Sequence, residues 1–130
     1  QIAQIYETLL PAFLVGIKAN RPELKVVGNL WAGDFNLDGK ENHPYLSKYW
    51  QDTATKNENK SFELKTTYDV NKNPLAKKTA GLFEGSSRLD RVYLNNQSTL
   101  EAKGYQVLDS FNGTPNILSD HYPIKLDLTW

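Results

Sequence analysis

The sequence predicts a mixed α+β fold, because it combines a segment of helical apolar spacing with segments of period-two alternation. Apolar residues at positions 2, 5, 6, 9, 10, 13, 14 and 17 follow an i, i+3, i+4 pattern, which is typical of an amphipathic helix with its stripe in the core. Ile124, Leu126 and Leu128 alternate with polar residues, which favours a half-buried strand. A helix followed by buried strands is an α/β or α+β arrangement.

Composition limits the possible classes of protein. The chain has 130 residues, enough for one domain at most, and its 15 basic and 15 acidic residues give no overall field that would attract nucleic acid or a membrane. Because there is no cysteine, disulfides and thiolate metal sites are excluded, while the compartment stays open. We see no apolar run of membrane-spanning length and no features of a signal peptide. The chain contains no Met and begins with Gln1, so we expect an N-terminus made by processing, cloning or proteolysis.

Prolines and polar runs divide the first half of the chain. Pro11 should kink or split the first helix, and Pro22 should end it near Asn20. Leu30-Trp31-Ala32 predicts a short buried strand. Pro44 predicts the start of another helix with its cap near residues 42–43. Residues 52–63 carry little apolar content, which predicts a solvated loop.

The second half predicts strands separated by a long loop. Residues 62–68 alternate weakly and could form a strand, whereas residues 69–87 predict an irregular segment. Loops of this length in a compact domain are usually functional or mobile. Residues 88–94 alternate cleanly, residues 105–108 predict another short strand, and the last strand begins at Ile124.

The strand at Leu30 leads into Gly33-Asp34-Phe35-Asn36, the first candidate for chemistry. On an extended backbone Asp34 and Asn36 would lie on the same side, with Phe35 turned into the core. A carboxylate beside an amide can position a water and a phosphate, or help to bind a hard cation. The same residue types form ordinary turns, so a simple turn is the alternative.

Two further motifs could supply partners. In residues 88–94, Asp90 shares a face with Val92 and Leu94, which is costly for a carboxylate unless it has a partner. Asp120 and His121 lie on a loop before the last strand, and imidazole titrates near neutral pH while carboxylate binds cations. Asp90 is the obvious candidate to fix the tautomer of His121, and a backbone carbonyl is the alternative.

Three motifs together resemble the endonuclease/exonuclease/phosphatase superfamily, the DNase I-like fold. They are Gly33-Asp34-Phe35-Asn36, Arg88-Leu89-Asp90 and Ser119-Asp120-His121-Tyr122-Pro123, and the likeness spans the chain from Lys25 to Trp130. Trp50-Gln51-Asp52, Thr67-Tyr68-Asp69 and Arg88-Leu89-Asp90-Arg91 resemble the 5′-tyrosyl-DNA phosphodiesterase branch. That branch often carries Trp where this chain has Tyr68, and Thr where it has Phe35.

The resemblance implies metal-assisted cleavage of a phosphoester by an activated water. By analogy, Asp34 would orient or deprotonate the water, and Asn36 would hold the nucleophile and a phosphate oxygen. Asp120 would help to bind Mg²⁺ or Mn²⁺, and Asp34 and Asn36 are further candidate ligands. His121 would donate to the charge that develops on the pentacoordinate phosphorus, and Asp90 would hold His121 in place. These roles agree with catalysis by positioning and charge stabilisation.

Three more residues are weaker candidates for substrate binding. Arg88 and Arg91 could contact phosphate, or could form salt bridges on an exposed strand. Tyr68 could stack on a substrate group, or could pack in the core. His43 is expected to be a surface residue.

The resemblance also implies that this chain is the C-terminal half of a two-sheet α/β sandwich flanked by helices. The first half of such a domain ordinarily carries an Asn and the Glu that is the principal metal ligand. Residues 1–20 read as a helix and cannot supply them. We therefore expect an N-terminal half or a second chain to pack against the apolar face that one sheet would leave exposed.

Competing functions remain open at the level of sequence. The leading hypothesis is a metal-dependent phosphodiesterase or phosphomonoesterase acting on DNA, RNA or a phospholipid headgroup such as a phosphoinositide or sphingomyelin. The second hypothesis is a non-catalytic binding remnant that keeps the fold. A remnant does not need all five candidate polar residues, which are Asp34, Asn36, Asp90, Asp120 and His121. A nucleic-acid binding module fits poorly with a neutral chain that lacks basic clusters.

Overall fold

Short helices and antiparallel strands in small sheets make up a mixed α+β fold in the computed structural model, which describes residues 4–37, 44–56 and 65–130. A π-helical turn, Ile5–Leu9, precedes helix α1 (Leu10–Asn20), and the other helices are α2 (Pro44–Tyr49), α3 (Thr53–Lys56) and α4 (Pro74–Thr79). The strands are β1 (Leu30–Asp34), β2 (Trp50–Asp52), β3 (Tyr68–Asp69), β4 (Ser86–Ser87), β5 (Asp90–Asn95), β6 (Glu101–Val107), β7 (Ser110–Phe111), β8 (Thr114–Pro115) and β9 (Ile124–Thr129).

The first helical segment divides near Pro11, as the sequence predicts. Pro11 has no N–H to donate to the preceding turn, and the change from π-helical to α-helical bonding occurs beside it, with Leu9 and Leu10 both in the right-handed helical region. The helix ends at Asn20, and the Arg21 N–H still donates to the Ile17 carbonyl over 2.8 Å. The expectation that the apolar stripe forms core is wrong for α1, because none of its residues is buried and Phe13 is 64% exposed. Of this stripe, Leu10 does pack against the aromatic core described below.

Strand β5 lies at the centre of an antiparallel three-stranded sheet with the order β1-β5-β2. The register pairs Leu30 with Leu94 at one end and Asp34 with Asp90 at the other. All residues of β5 from Arg91 to Asn95 are buried, so the strand is covered on both faces. This register brings the last residue of β1 beside the first residue of β5.

An aromatic core packs against this sheet. Leu46, Trp50 and Tyr93 are its buried members, and Trp31 and Phe35 pack against them. The Phe35 ring lies 5.0 Å from the Tyr93 ring and 5.4 Å from the Trp31 ring, in tilted or edge-on contacts. Phe35 is therefore turned into the core, as the sequence predicts.

The segment predicted to be irregular, residues 69–87, contains both a helix and a strand. Asn73 and Pro74 begin α4, with the Asn73 side chain as its N-cap and the proline in the first turn. Strands β3 and β4 pair with each other, and Tyr68, Val70 and the fully buried Ala76 form a second core cluster. Of the strand predicted at residues 62–68, residues 62–64 lie outside the described chain.

The solvated loop predicted at residues 52–63 is wrong at its start. Asp52 ends β2, α3 follows directly, and Asp52, Thr53 and Ala54 are all buried. Residues 57–63 lie outside the described chain. Helix α2 begins at Pro44 as predicted, while its predicted cap, including His43, also lies outside the described chain.

The C-terminal part of the chain forms two small antiparallel sheets. β6 pairs with β9, with an irregularity between Ala102 and Gly104, and β7 pairs with β8 in a hairpin. Residues of β9 alternate between half-buried and exposed, which confirms the final strand. Among the described residues, no helix has the length and apolar character that crossing a bilayer requires.

Candidate functional site

Two carboxylates stand opposite each other where β1 ends and β5 begins. Asp34 and Asp90 are direct partners in the antiparallel register, so both side chains lie on the same face of the sheet. Like charges at directly opposite positions destabilise a sheet. Each carboxylate here has a hydrogen-bond partner of its own, Asp34 the Asn36 N–H and Asp90 the His121 ring.

His121 joins this pair through Asp90. The Nδ1 atom of His121 lies 2.6 Å from Oδ2 of Asp90, and both side chains are partly buried. This is the contact that the sequence predicts for the two residues. With Nδ1 engaged by the carboxylate, Nε2 is the ring nitrogen that can contact a ligand.

Residues 67 and 68 hold both members of the pair in place. The Thr67 hydroxyl accepts a hydrogen bond from the Asp90 N–H over 3.0 Å, and the Thr67 carbonyl accepts one from the Tyr122 N–H over 2.7 Å. Tyr68 forms an antiparallel bridge with His121, and their rings lie 5.0 Å apart. The hydroxyl and the carbonyl of Thr67, which is fully buried, therefore connect β5 to the loop that contains His121.

Asn36 follows β1 in a turn rather than on a continued strand. Its φ of 48° is in the left-handed region, and its N–H donates to Oδ1 of Asp34 over 2.8 Å. The extended geometry predicted for residues 34–36 therefore ends at Asp34, and turn chemistry operates here. The turn nevertheless leaves Asn36 in the wall of a cleft that also contains Asp120 and His121.

Asp120 is exposed to the same cleft and is held by the end of α4. The Thr79 hydroxyl donates to Oδ2 of Asp120 over 2.9 Å, and the Ser119 hydroxyl lies 3.3 Å from Oδ1. The hydrogen bond from Thr79 is the main cause that lowers the pKa of Asp120 below its ordinary value, and the charge of His121 contributes further. Asp120 is therefore an ionised carboxylate at neutral pH.

The cleft has one polar and one apolar wall. Its volume is about 520 Å³, and Asn36, Thr79, Asp120 and His121 contribute polar atoms to it. Tyr68, Ala80, Phe83 and Leu89 supply the apolar side. A group that binds there would contact imidazole, carboxylate and amide at once, beside an apolar surface.

The structure gives Arg88 and Arg91 a different role from the predicted phosphate contact. Asp52 accepts two hydrogen bonds from the Arg88 guanidinium, at 2.6 and 3.2 Å, and lies 3.8 Å from Arg91. The exposed fractions of Arg88, Arg91 and Asp52 are 4%, 1% and 7%, so neither guanidinium is a surface group. Burial alone lowers the pKa of Arg88, but the hydrogen bonds and charge of Asp52 outweigh it and the pKa is raised.

Tyr68 is also mainly a core residue. Its side chain is buried, its hydroxyl donates to the Ala76 carbonyl over 3.1 Å, and its ring contacts Phe83 at 5.7 Å. The core alternative that the sequence left open for Tyr68 is therefore present, although the residue still borders the cleft.

Sequence reasoning did not identify Asn73 and Thr79, which connect parts of this site, and it included Thr67 in a family motif without giving that residue a role. The signal for Asn73 was present, because Asn followed by Pro is a typical helix start. Thr67 and Thr79 gave no comparable signal, since each depends on a partner that is distant in sequence.

The side chains that line the cleft suit Mg²⁺ or Mn²⁺ in chemistry but are few in number. Asp120 and Asn36 offer hard oxygen ligands, and Asp34 lies next to Asn36. The described residues contain no cluster of three or more His, Cys, Asp or Glu side chains placed to hold a metal. Mg²⁺ is commonly bound by one or two carboxylates together with waters and substrate phosphates, so the donors present fit that mode of binding.

A scan against protein-family models, a search of curated proteins and a search of solved structures each found no match for this chain.

Proposed function

We propose that the chain carries the catalytic His–Asp pair of a metal-dependent phosphoester hydrolase. The observation that carries this proposal is the Asp34–Asp90 opposition with His121 Nδ1 at 2.6 Å from Asp90. The hydrogen bond to His121 needs one carboxylate, and here a second one, Asp34, is the cross-strand partner of Asp90 at a cost of up to about 1 kcal/mol. One oxygen of Asp34 accepts the turn hydrogen bond from the Asn36 N–H, and its other oxygen is assigned to the attacking water.

The proposed roles follow the placement of the side chains: Asn36 and His121 line the cleft, and Asp34 is exposed beside Asn36 rather than in the cleft lining. Asp34 orients the attacking water and accepts its proton while the new oxygen–phosphorus bond forms. His121, oriented by Asp90 through Nδ1, donates from Nε2 to a phosphoryl oxygen as negative charge develops there. Asn36 holds a phosphate oxygen or the water through its amide. The bond from phosphorus to the leaving oxygen then breaks, and the leaving alcohol takes up a proton from solvent.

A bound Mg²⁺ or Mn²⁺ would neutralise charge on the phosphate, with Asp120 as its ligand from this chain and Asp34 and Asn36 as further candidates. Thr79 supports this assignment, because its hydrogen bond favours the ionised form of Asp120. Hydrogen-bond donors on a phosphoryl oxygen are typically worth about 3 kcal/mol in the transition state. Removal of His121 should therefore reduce turnover by at least about 100-fold.

The substrate class is tested by hydrolysis of a panel with Mg²⁺ or Mn²⁺ and then with a chelator. The panel contains 5′-tyrosyl DNA, an abasic duplex, inositol phosphates and sphingomyelin, and the protein is assayed with any chain that co-purifies with it. We expect turnover of at least one class, lost on chelation and abolished by Asp34→Asn. Asp109→Asn is the matched control, since Asp109 pairs with Lys65 outside the cleft.

Two results would overturn the hydrolase proposal. One is full activity of the Asp34→Asn variant. The other is binding of an anionic ligand without turnover of any member of the panel, which would indicate a non-catalytic remnant. Turnover of inositol phosphates or sphingomyelin in place of nucleic acid would assign a phospholipid headgroup as the substrate.

We also propose that the chain forms the C-terminal half of a DNase I-like two-sheet sandwich and needs a second segment or chain to complete it. Several large apolar side chains near the start of the described chain are exposed, which supports a missing covering layer. They are Leu9, Phe13, Val15, Leu24, Val26 and Leu30. Gel filtration with an activity assay tests this: the 130-residue chain should be inactive as a monomer, and an active monomer would contradict it.

A further inference from the structure

Asn73 is a fully buried polar side chain that the mechanism above does not use, with 1% of its surface exposed. Its Oδ1 atom accepts hydrogen bonds from the Leu75 and Ala76 N–H groups at 2.9 and 3.4 Å, which caps α4. Its Nδ2 atom donates to the Ser119 carbonyl over 2.8 Å. One amide group therefore joins the start of a helix to the residue that precedes Asp120 and His121.

The opposite end of α4 holds the same loop. Thr79, the last residue of the helix, donates to Oδ2 of Asp120. Thr67, Tyr68 and Asp90 hold the His121 and Tyr122 side of the loop between the β7–β8 hairpin and β9, and α4 holds its Ser119 and Asp120 side. The helix therefore contacts the site loop at both ends, through the Asn73 amide and the Thr79 hydroxyl.

We propose that Asn73 is a positioning residue of the site, one that sets the placement of Asp120 and His121 through the Ser119 carbonyl. This inference rests on the proposed hydrolase function for its catalytic consequence. A misplacement of about 1 Å in a catalytic group can cost about 100-fold in rate, even when the change is distant from the chemistry. Asn fits this position because it offers an acceptor to the helix and a donor to the loop at once.

Two substitutions separate the cap from the connection to the loop. Asn73→Asp keeps the cap, since Asp and Asn are about equally good N-cap residues, but it replaces the donor with an oxygen that faces the Ser119 carbonyl. Asn73→Ser also keeps a cap and adds no charge. Asn71→Asp is the matched control, because it places the same charge two residues away at an exposed position.

The test combines amide hydrogen exchange with steady-state kinetics. In both Asn73 variants we expect the His121 and Tyr122 amides to exchange about tenfold faster, as loss of one hydrogen bond would produce, while the α4 amides keep their wild-type rates. We expect kcat to fall by about 100-fold with KM changed less than threefold, because the loop positions the reacting groups rather than the bulk of the substrate. The Asn71→Asp variant should match wild type in all of these.

The outcomes distinguish this inference from the proposed function. Wild-type exchange at His121 and Tyr122 in both Asn73 variants would overturn the positioning role, whatever the activity. Faster exchange there with an unchanged kcat would overturn it as well, because the loop would then move without consequence. Faster exchange in a protein that hydrolyses no phosphoester, even when assayed with the segment or chain that completes it, would support the connection from Asn73 to the loop and overturn the hydrolase proposal instead.

Discussion

Asp52 is the residue whose loss should most destabilise the described structure. Its buried carboxylate lies 2.6 Å from the guanidinium group of Arg88 and 3.8 Å from that of Arg91, and both arginines are buried as well. Its Oδ1 atom also accepts a hydrogen bond from the Ala54 N–H over 3.1 Å. Asp52→Asn keeps the shape and one acceptor but removes the charge and turns an N–H₂ group toward the guanidinium donors.

The expected magnitude follows from the burial of all three side chains, each of which is less than a tenth exposed. Breaking a buried ion pair by removing one partner costs about 3–5 kcal/mol, because the other charge stays buried without compensation. Most domains have a total free energy of unfolding of about 5–15 kcal/mol, so the loss would be a large part of it. The same change at Asp109, whose partner Lys65 is half exposed, should cost less than about 1 kcal/mol.

Urea denaturation followed by tryptophan fluorescence measures both variants against wild type. We expect Asp52→Asn to have a lower denaturation midpoint and an unchanged m value, so that the shift in midpoint reports stability alone. A loss below about 1 kcal/mol for Asp52→Asn, or a loss equal to that of Asp109→Asn, would refute the buried ion-pair argument.

Two further predictions concern the free energy of unfolding, one at alkaline pH and one in a variant of the candidate site. Burial raises the pKa of the Tyr105 hydroxyl above its ordinary value of 10.0, and the charge of Arg88 partly opposes this. The stability that the buried neutral hydroxyl contributes is therefore complete below pH 10.0 and is lost as the pH rises through the folded-state pKa. Tyr105→Phe should therefore reduce the alkaline decline in the free energy of unfolding, and an unchanged pH profile would contradict this. Asp34→Asn should remove the repulsion between the Asp34 and Asp90 carboxylates and raise the free energy of unfolding by about 0.2–1 kcal/mol in urea titrations, while the proposed turnover is abolished. A loss of stability would contradict a repulsion between the two carboxylates.

The parts of the fold that depend on local signals could be predicted from the sequence. Pro44 marks a helix start, and Pro11 marks the point beside which the first helical segment changes its bonding, both through chemistry that belongs to the proline itself. The alternation from Ile124 marks β9 because one face of that strand is half buried. The contact between Asp90 and His121 was also predictable, since a carboxylate among apolar residues requires a partner and His121 needs a group that fixes its tautomer.

The parts that depend on distant partners could not be predicted. Residues 52–54 look solvated in sequence, but Asp52 is buried because Arg88, far along the chain, neutralises it. The reverse holds for Phe13, whose apolar pattern predicts core while the structure leaves it 64% exposed. Periodicity identifies a face that favours burial, but whether another element covers that face is a property of the whole assembly.

The measurement that tests the central claim most directly is the turnover number of His121→Gln beside wild type, on whichever phosphoester of the panel is hydrolysed. Gln keeps a polar side chain of similar length but cannot donate a proton from a titratable ring. On the proposal that His121, which lies 2.6 Å from Asp90, donates to the transition state, kcat should fall by at least about 100-fold. A His121→Gln variant with wild-type kcat would contradict the assignment of this pair as the catalytic centre.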